Sequence, residues 1–196
     1  MQVMLPGKIK LLAQSDLPAL QIFCDTCAEL GWDNNKDFDA MKLNQTVMPN
    51  GQFFIAIDGD TIYSVAGVQK LPQINDRAWR CLLRGAQLPG YTPAWSMDIF
   101  KSGIHFAYFL YEQIKFVQQH DCHAEFYITT NLDNPKAGAS SRLHKTMMPR
   151  LSKQGYIDLI NPDIRLYHTQ QSLWQVNVSN YMAARERWQA GENCID

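Results

Sequence analysis

From Ser102 to His120 the chain reads SGIHFAYFLYEQIKFVQQH, and this stretch decides the fold. Ile104, Phe106, Ala107, Phe109, Leu110, Ile114, Phe116 and Val117 fall on nearly every side of a helical wheel, which predicts a helix packed on all sides. Directly after it, Ala124 to Thr130 is rich in aromatic and β-branched residues and reads as a strand, stopped by Asn131-Leu132-Asp133-Asn134-Pro135. A buried helix delivering the chain to a buried strand is the signature of an α/β domain.

Upstream, Trp79, Cys81 and Leu83 alternate with Arg80, Leu82 and Arg84, predicting a strand continued to Gln87 with arginines on one face. Before it, Phe53 to Ile57 and Thr61 to Gln69 flank Asp58-Gly59-Asp60, a hairpin signal because glycine reaches positive φ. The N-terminal part offers a strand at Lys8 to Leu12. Ser15-Asp16-Leu17-Pro18 then starts a helix, whose apolar residues Leu17, Leu20, Phe23, Cys24, Cys27 and Leu30 recur at three- and four-residue spacing up to Gly31. A weaker helix is expected around Phe38 to Leu43.

Downstream, Ser140 to Lys153 reads as helical, with Pro149 imposing a kink or a division into two short helices, and Gly155 ends it. Tyr156 to Ile160 and Ile164 to His168 are expected to form a hairpin around Asn161-Pro162-Asp163. Ser172 to Gln189 is read as a helix with Leu173, Val176, Tyr181, Ala184 and Trp188 on one stripe. The organisation expected is one α/β domain over residues 1–170, with a C-terminal helical extension of the same domain over 171–196.

Composition narrows the function classes. In 196 residues, 46% hydrophobic and 19% charged side chains suit a folded globular chain, and a net charge of −1 supplies no bulk attraction to nucleic acid or anionic membranes. The apolar run from Ile104 to Val117 is broken by Glu112, Gln113 and Lys115, so no membrane span is expected. Met1 to Leu12 carries lysines within its apolar residues and lacks a cleavage site, unlike a signal peptide. Five scattered cysteines fit reduced thiols, and the expected location is the cytoplasm. The Cys24-Asp-Thr-Cys27 spacing invites a metal reading, but no second ligand cluster matches it, so core packing is expected and no metal.

The order strand, two helices, Asp-Gly hairpin, strand, buried helix, strand, helix and closing hairpin resembles the GNAT superfamily of N-acetyltransferases over about Lys8 to His168. The resemblance extends to GNAT-like proteins of phage. It implies a mixed, mainly antiparallel sheet flanked by helices. Two local stretches carry it further. Phe100-Lys101-Ser102-Gly103-Ile104-His105 stands where the family places its Arg/Gln-x-x-Gly-x-Gly/Ala loop, whose backbone N–H groups cradle the pyrophosphate of coenzyme A. By that resemblance Lys101, Ser102, Gly103, Ile104 and His105 bind the cofactor. Phe100 and His105 depart from the pattern, and an ordinary helix start capped by Ser102 is the plain alternative. The second stretch, Asn131 to Tyr156, resembles the family's Asn-x-x-Ala helix ending in Gly-Phe, adding Asn131 and Asn134 to the cofactor contacts.

The tyrosine with which the family commonly protonates the departing thiolate is replaced by Leu151. Tyr127 and His144 are the candidate acids, each also readable as a packing or surface residue, and Asp98 is either a base acting through water or a helix cap. Arg80 and Arg84, with Tyr91 and Trp95, are either contacts for an anionic or aromatic acceptor or solvated and packing side chains. The resemblance implies an acyl-CoA-dependent N-acyltransferase, with acetyl-CoA or another acyl-CoA as co-substrate and a small-molecule or peptide amine as acceptor. The alternative is a catalytically degenerate GNAT-fold module that binds a ligand or a protein. A nucleic-acid accessory role ranks third, no membrane partner is expected, and a homodimer stays open.

Overall fold

Asp58-Gly59-Asp60 turns the chain on itself with Gly59 at φ 58, where a β-carbon would be strained. The turn joins β2 (Gly51–Asp58) to β3 (Thr61–Lys70) in an antiparallel ladder running from Asp58↔Thr61 to Gly51↔Gln69, with one irregularity between Ala56 and Ile57. The computed structural model describes residues 9–29, 51–87, 104–133, 143–166 and 168–189. The weak helix expected at Phe38 to Leu43 lies outside them.

The remaining strands are β1 (Ile9–Leu11), β4 (Ala78–Gln87), β5 (Glu125–Asn131), β6 (Ile157–Leu166) and β7 (Thr169–Val176). The helices are α1 (Leu17–Glu29), α2 (Ile104–Gln118), α3 (Met148–Lys153) and α4 (Val178–Gln189). The strands form one mixed, mostly antiparallel sheet in the order β1-β2-β3-β4-β5-β7-β6, so the α/β class expected from the sequence holds.

Two compact units make up the chain. In the unit comprising Met4–Gln69 and Leu82–Gln113, β1 pairs antiparallel with β2, and α1 lays Leu20, Phe23, Cys24 and Cys27 against Leu12, Phe53, Ile55, Ile62 and Val65. Cys24 and Cys27 are therefore core residues, and burial pushes the Cys27 thiol pKa up, away from reactive thiolate. The start of α1 differs in detail from expectation: a 3₁₀ turn at Gln14–Asp16 precedes it, and the Asp16 carboxylate accepts the Ala13 N–H at 2.9 Å. Along α2, Tyr108, Phe109, Leu110 and Tyr111 are consecutive and buried, as the all-round apolar pattern requires.

The other unit contains Lys70–Cys81 and Ile114–Asp196. Here β5 pairs with β7 and β7 with β6, both antiparallel. A π-helical turn at Leu143–Met147 leads into α3 with Pro149 in its first turn, the division that the proline foretold.

Two expectations fail in this unit. Asn161-Pro162-Asp163 is not a hairpin turn but a bend within one long strand, marked by register shifts either side of Asn161, whose Oδ1 accepts the Asp163 N–H at 2.9 Å. β6 ends the strand order, and an edge strand tolerates a proline because one side of it needs no ladder donor. The chain reverses instead at His168, in the left-handed region at φ 66. Consequently Ser172 to Val176, expected as helix, is strand. Gln171, Ser172, Leu173 and Trp174 are all buried, which suits a strand covered on both faces. Helix α4 starts only after Asn177, whose side-chain oxygen accepts the Asn180 N–H at 3.2 Å.

Candidate functional site

β4 and β5 run parallel, with Ala78, Trp79, Arg80 and Cys81 paired to Glu125, Phe126, Tyr127 and Ile128. Parallel strands need a long crossover, and α2 supplies it. In such a unit the carboxyl ends of the strands and the N-terminus of the following helix are where anionic ligands settle. Ile104 and His105 are the first two residues of α2. Asp98, Lys101, Ser102, Gly103 and Asn134 lie outside the described residues, as do Tyr91 and Trp95.

The period of two divides β5 into faces. Glu125, Tyr127, Thr129 and Asn131 share one, while Phe126, Ile128 and Thr130 share the other. Two predicted site residues, Tyr127 and Asn131, are thus brought onto a common face, opposite Gln175 and Gln171 of β7. Tyr127 packs with Leu71, Ala78, Leu166 and Leu173. Its phenol donates to Glu125 Oε2 at 2.9 Å, and burial followed by the Glu125 hydrogen bond pushes its pKa up to about 12. Glu125 also accepts from Asn75 Nδ2 at 3.0 Å and pairs with Arg77 at 2.7 Å, and its carboxyl is held below the usual range, chiefly by the Asn75 and Tyr127 hydrogen bonds.

Asn131 Oδ1 accepts the Asp133 N–H at 2.9 Å, closing a local turn at the end of β5. His144 lies in the π-helical turn, half-buried. Arg80 falls on the Tyr127 face, its Nη2 at 3.4 Å from Gln171 Oε1. The Gln171 amide is oriented by donating from Nε2 to Thr169 Oγ1 at 2.9 Å, which leaves its oxygen toward Arg80. A separate brace joins Lys70 to Asp121 at 3.0 Å beneath Trp79, whose indole N–H also donates to Asp121 at 3.2 Å.

Sequence reasoning missed Thr129 and Thr130. Both Oγ1 atoms are buried, and neither has a hydrogen-bond partner among the described residues. Threonine is so ordinary in a strand that nothing in the pattern marks these two. Among the described residues no group of three or more His, Cys, Asp or Glu could hold a metal, and no described helix is long and apolar enough to cross a membrane.

No family model and no curated protein matches the chain. Solved structures do. A putative GNAT-family acetyltransferase from Desulfovibrio desulfuricans superposes with TM-score 0.57 at 10% identity, over 87% of this chain and 98% of that one. FeeM, an N-acyl amino acid synthase from uncultured soil microbes, gives 0.54 at 10% identity over 90% and 98%. The Salmonella typhimurium acetyl transferase that modifies the N-terminal serine of ribosomal protein L7/L12 gives 0.52 at 9% identity over 88% and 95%. At such identities the likeness is one of fold.

Proposed function

This chain has the GNAT acetyltransferase fold, and we propose that it is an acyl-CoA-dependent N-acyltransferase whose acceptor is a small-molecule or peptide amine. The observation that carries the reading is the parallel β4–α2–β5 unit, with the helix beginning at Ile104, directly after Lys101-Ser102-Gly103. In this reading the backbone N–H groups of that helix start and its preceding small residues hold the diphosphate of coenzyme A. The amine nitrogen attacks the thioester carbonyl carbon, the C–N bond forms, the nitrogen gives one proton to water, the C–S bond breaks, and the thiolate leaves and takes up a proton. Holding the two reactants in line supplies most of the rate. Such a protein belongs in the cytoplasm, where its thiols remain reduced.

Tyr127 is a poor source for the thiolate's proton, because its O–H is committed to Glu125. His144 or solvent takes that part. The same commitment, together with Leu151 where the family commonly has tyrosine, favours a second reading: a module that keeps the fold and a ligand site without the chemistry.

Calorimetry and thermal shift with acetyl-CoA, free coenzyme A and longer acyl-CoAs test the first reading. A ligand bound only by the native state raises its melting temperature. Binding in the wild type that Gly103→Val abolishes supports the reading, since a β-carbon there takes the space of a phosphate oxygen. No binding by the wild type overturns it. Binding without turnover of any amine leaves the module.

A further inference from the structure

The π-helical turn Leu143–Met147 and α3 form one short helical segment within a single compact unit. The segment buries Met148 completely and leaves Lys145, Thr146, Pro149, Arg150 and Lys153 exposed. All of its lysine and arginine side chains therefore lie on the solvent side, and Arg150 and Lys153, three residues apart on the helix, are neighbours there. Among the described residues none of the three cations makes an ion pair, although Lys10, Lys70 and Arg77 each find a carboxylate. The sequence explains the difference, because no Asp or Glu occurs between Asp133 and Asp158. A chain with a net charge of −1, which has no bulk attraction to polyanions, thus keeps one helical face of concentrated positive charge.

We propose that this face, through Lys145, Arg150 and Lys153, binds the phosphodiester backbone of a nucleic acid without reading its sequence. The inference stands apart from the acyl-CoA reading and does not depend on it. Charge complementarity calls for a polyanion, and the surroundings of the cations favour phosphates over an acidic protein or a membrane. The exposed large hydrophobics among the described residues, Leu11, Ile22, Leu159 and Ile160, all fall outside the segment. Protein interfaces draw most of their energy from buried aromatic and apolar anchors, and helices that lie on membranes sink apolar side chains below the headgroups. Release of counterions from a nucleic-acid backbone needs neither. Thr146, exposed between Lys145 and Arg150 in the chain, adds a hydroxyl of the kind that donates to phosphate oxygens.

Fluorescence anisotropy of the full chain with labelled DNA and RNA duplexes of unrelated sequences, measured across a range of salt concentrations, tests this. Three phosphate contacts give an expected slope of log affinity against log salt of about −2.7 on duplex DNA, a loss of about fortyfold between 50 and 200 mM salt. Arg150→Gln and Lys153→Gln are each expected to reduce that slope by about 0.9, equally for every sequence. Both side chains are exposed, so the melting temperature is expected to stay at the wild-type value. Arg165→Gln removes an exposed cation at the far end of β6 and is expected to leave the slope as it is. No binding of any duplex at low salt overturns the proposal. So does a slope that the Arg150 and Lys153 variants leave unchanged, or that Arg165→Gln reduces equally. A poly-glutamate peptide, or vesicles of phosphatidylserine and phosphatidylcholine, bound more tightly than either duplex at equal salt also overturns it and assigns the face to that class of partner.

Discussion

Tyr127 donates its phenol hydrogen to Glu125 two residues earlier on the same face of β5, across 2.9 Å. The pair ties a core tyrosine to a half-buried carboxylate that Arg77 and Asn75 also hold. The two partners shift in opposite directions: burial, followed by the Glu125 hydrogen bond, raises the phenol to about 12, and the Asn75 hydrogen bond, followed by that of Tyr127, lowers the carboxyl.

Stability is expected to decline at both ends of the pH range for that reason. The raised pKa of Tyr127, and of Tyr181, also about 12 and chiefly from burial, stabilises the fold below the ordinary phenol value near 10. That stabilisation is lost as pH climbs from about 10 through 12. The lowered carboxyls of Glu125 and Asp121 act with the opposite sign: their contribution is present above the ordinary carboxylate range and lost as pH falls through the folded values. Denaturation against pH checks both limbs. Tyr127→Phe should flatten the alkaline limb and Asp121→Asn the acid one, and limbs unchanged in the variants would refute the assignment.

Gln113 of α2 is fully buried and donates Nε2 to the Gly67 carbonyl of β3 at 2.6 Å. Gln113→Leu removes that bond and leaves a buried carbonyl short of a partner, which costs about 1–3 kcal/mol. Urea denaturation should show the midpoint falling with the slope unchanged. A loss well below 1 kcal/mol would mean the carbonyl finds another donor.

His168 turns the β6–β7 hairpin at φ 66, where an L-residue pays about 1–2 kcal/mol and glycine pays almost nothing. Its side chain is exposed, so little packing is lost on replacement. His168→Gly is expected to raise the melting temperature by a few degrees, and His168→Val to lower it. The opposite ranking would show that the imidazole holds the turn through its own contacts.

Local patterns in the sequence determined what needs no distant partner. The Asp-Gly turn, the α1 stripe through Leu20, Phe23 and Cys27, the all-round burial of α2 and the strand before Asn131 follow from backbone preference and hydrophobic period. Their order carried the α/β class and, together with the stretches Phe100 to His105 and Asn131 to Tyr156, the GNAT resemblance. The tertiary structure decided the rest, because the deciding partner lies far along the chain. Asn161-Pro162-Asp163 carries the strongest turn residues of its region, yet it lies within a strand because β6 falls at the sheet edge and β7 continues the ladder past it. Ser172 to Val176 lost its helical reading to pairing with β5, which lies more than forty residues earlier. Tyr127 stood out in the sequence as a titratable group, but only folding set Asn75 and Arg77 around Glu125 and so committed its proton. Thr130 stood out in no pattern at all. An orphaned hydroxyl is a property of what surrounds a side chain, and those surroundings exist only once β5, β7 and their covering residues are packed.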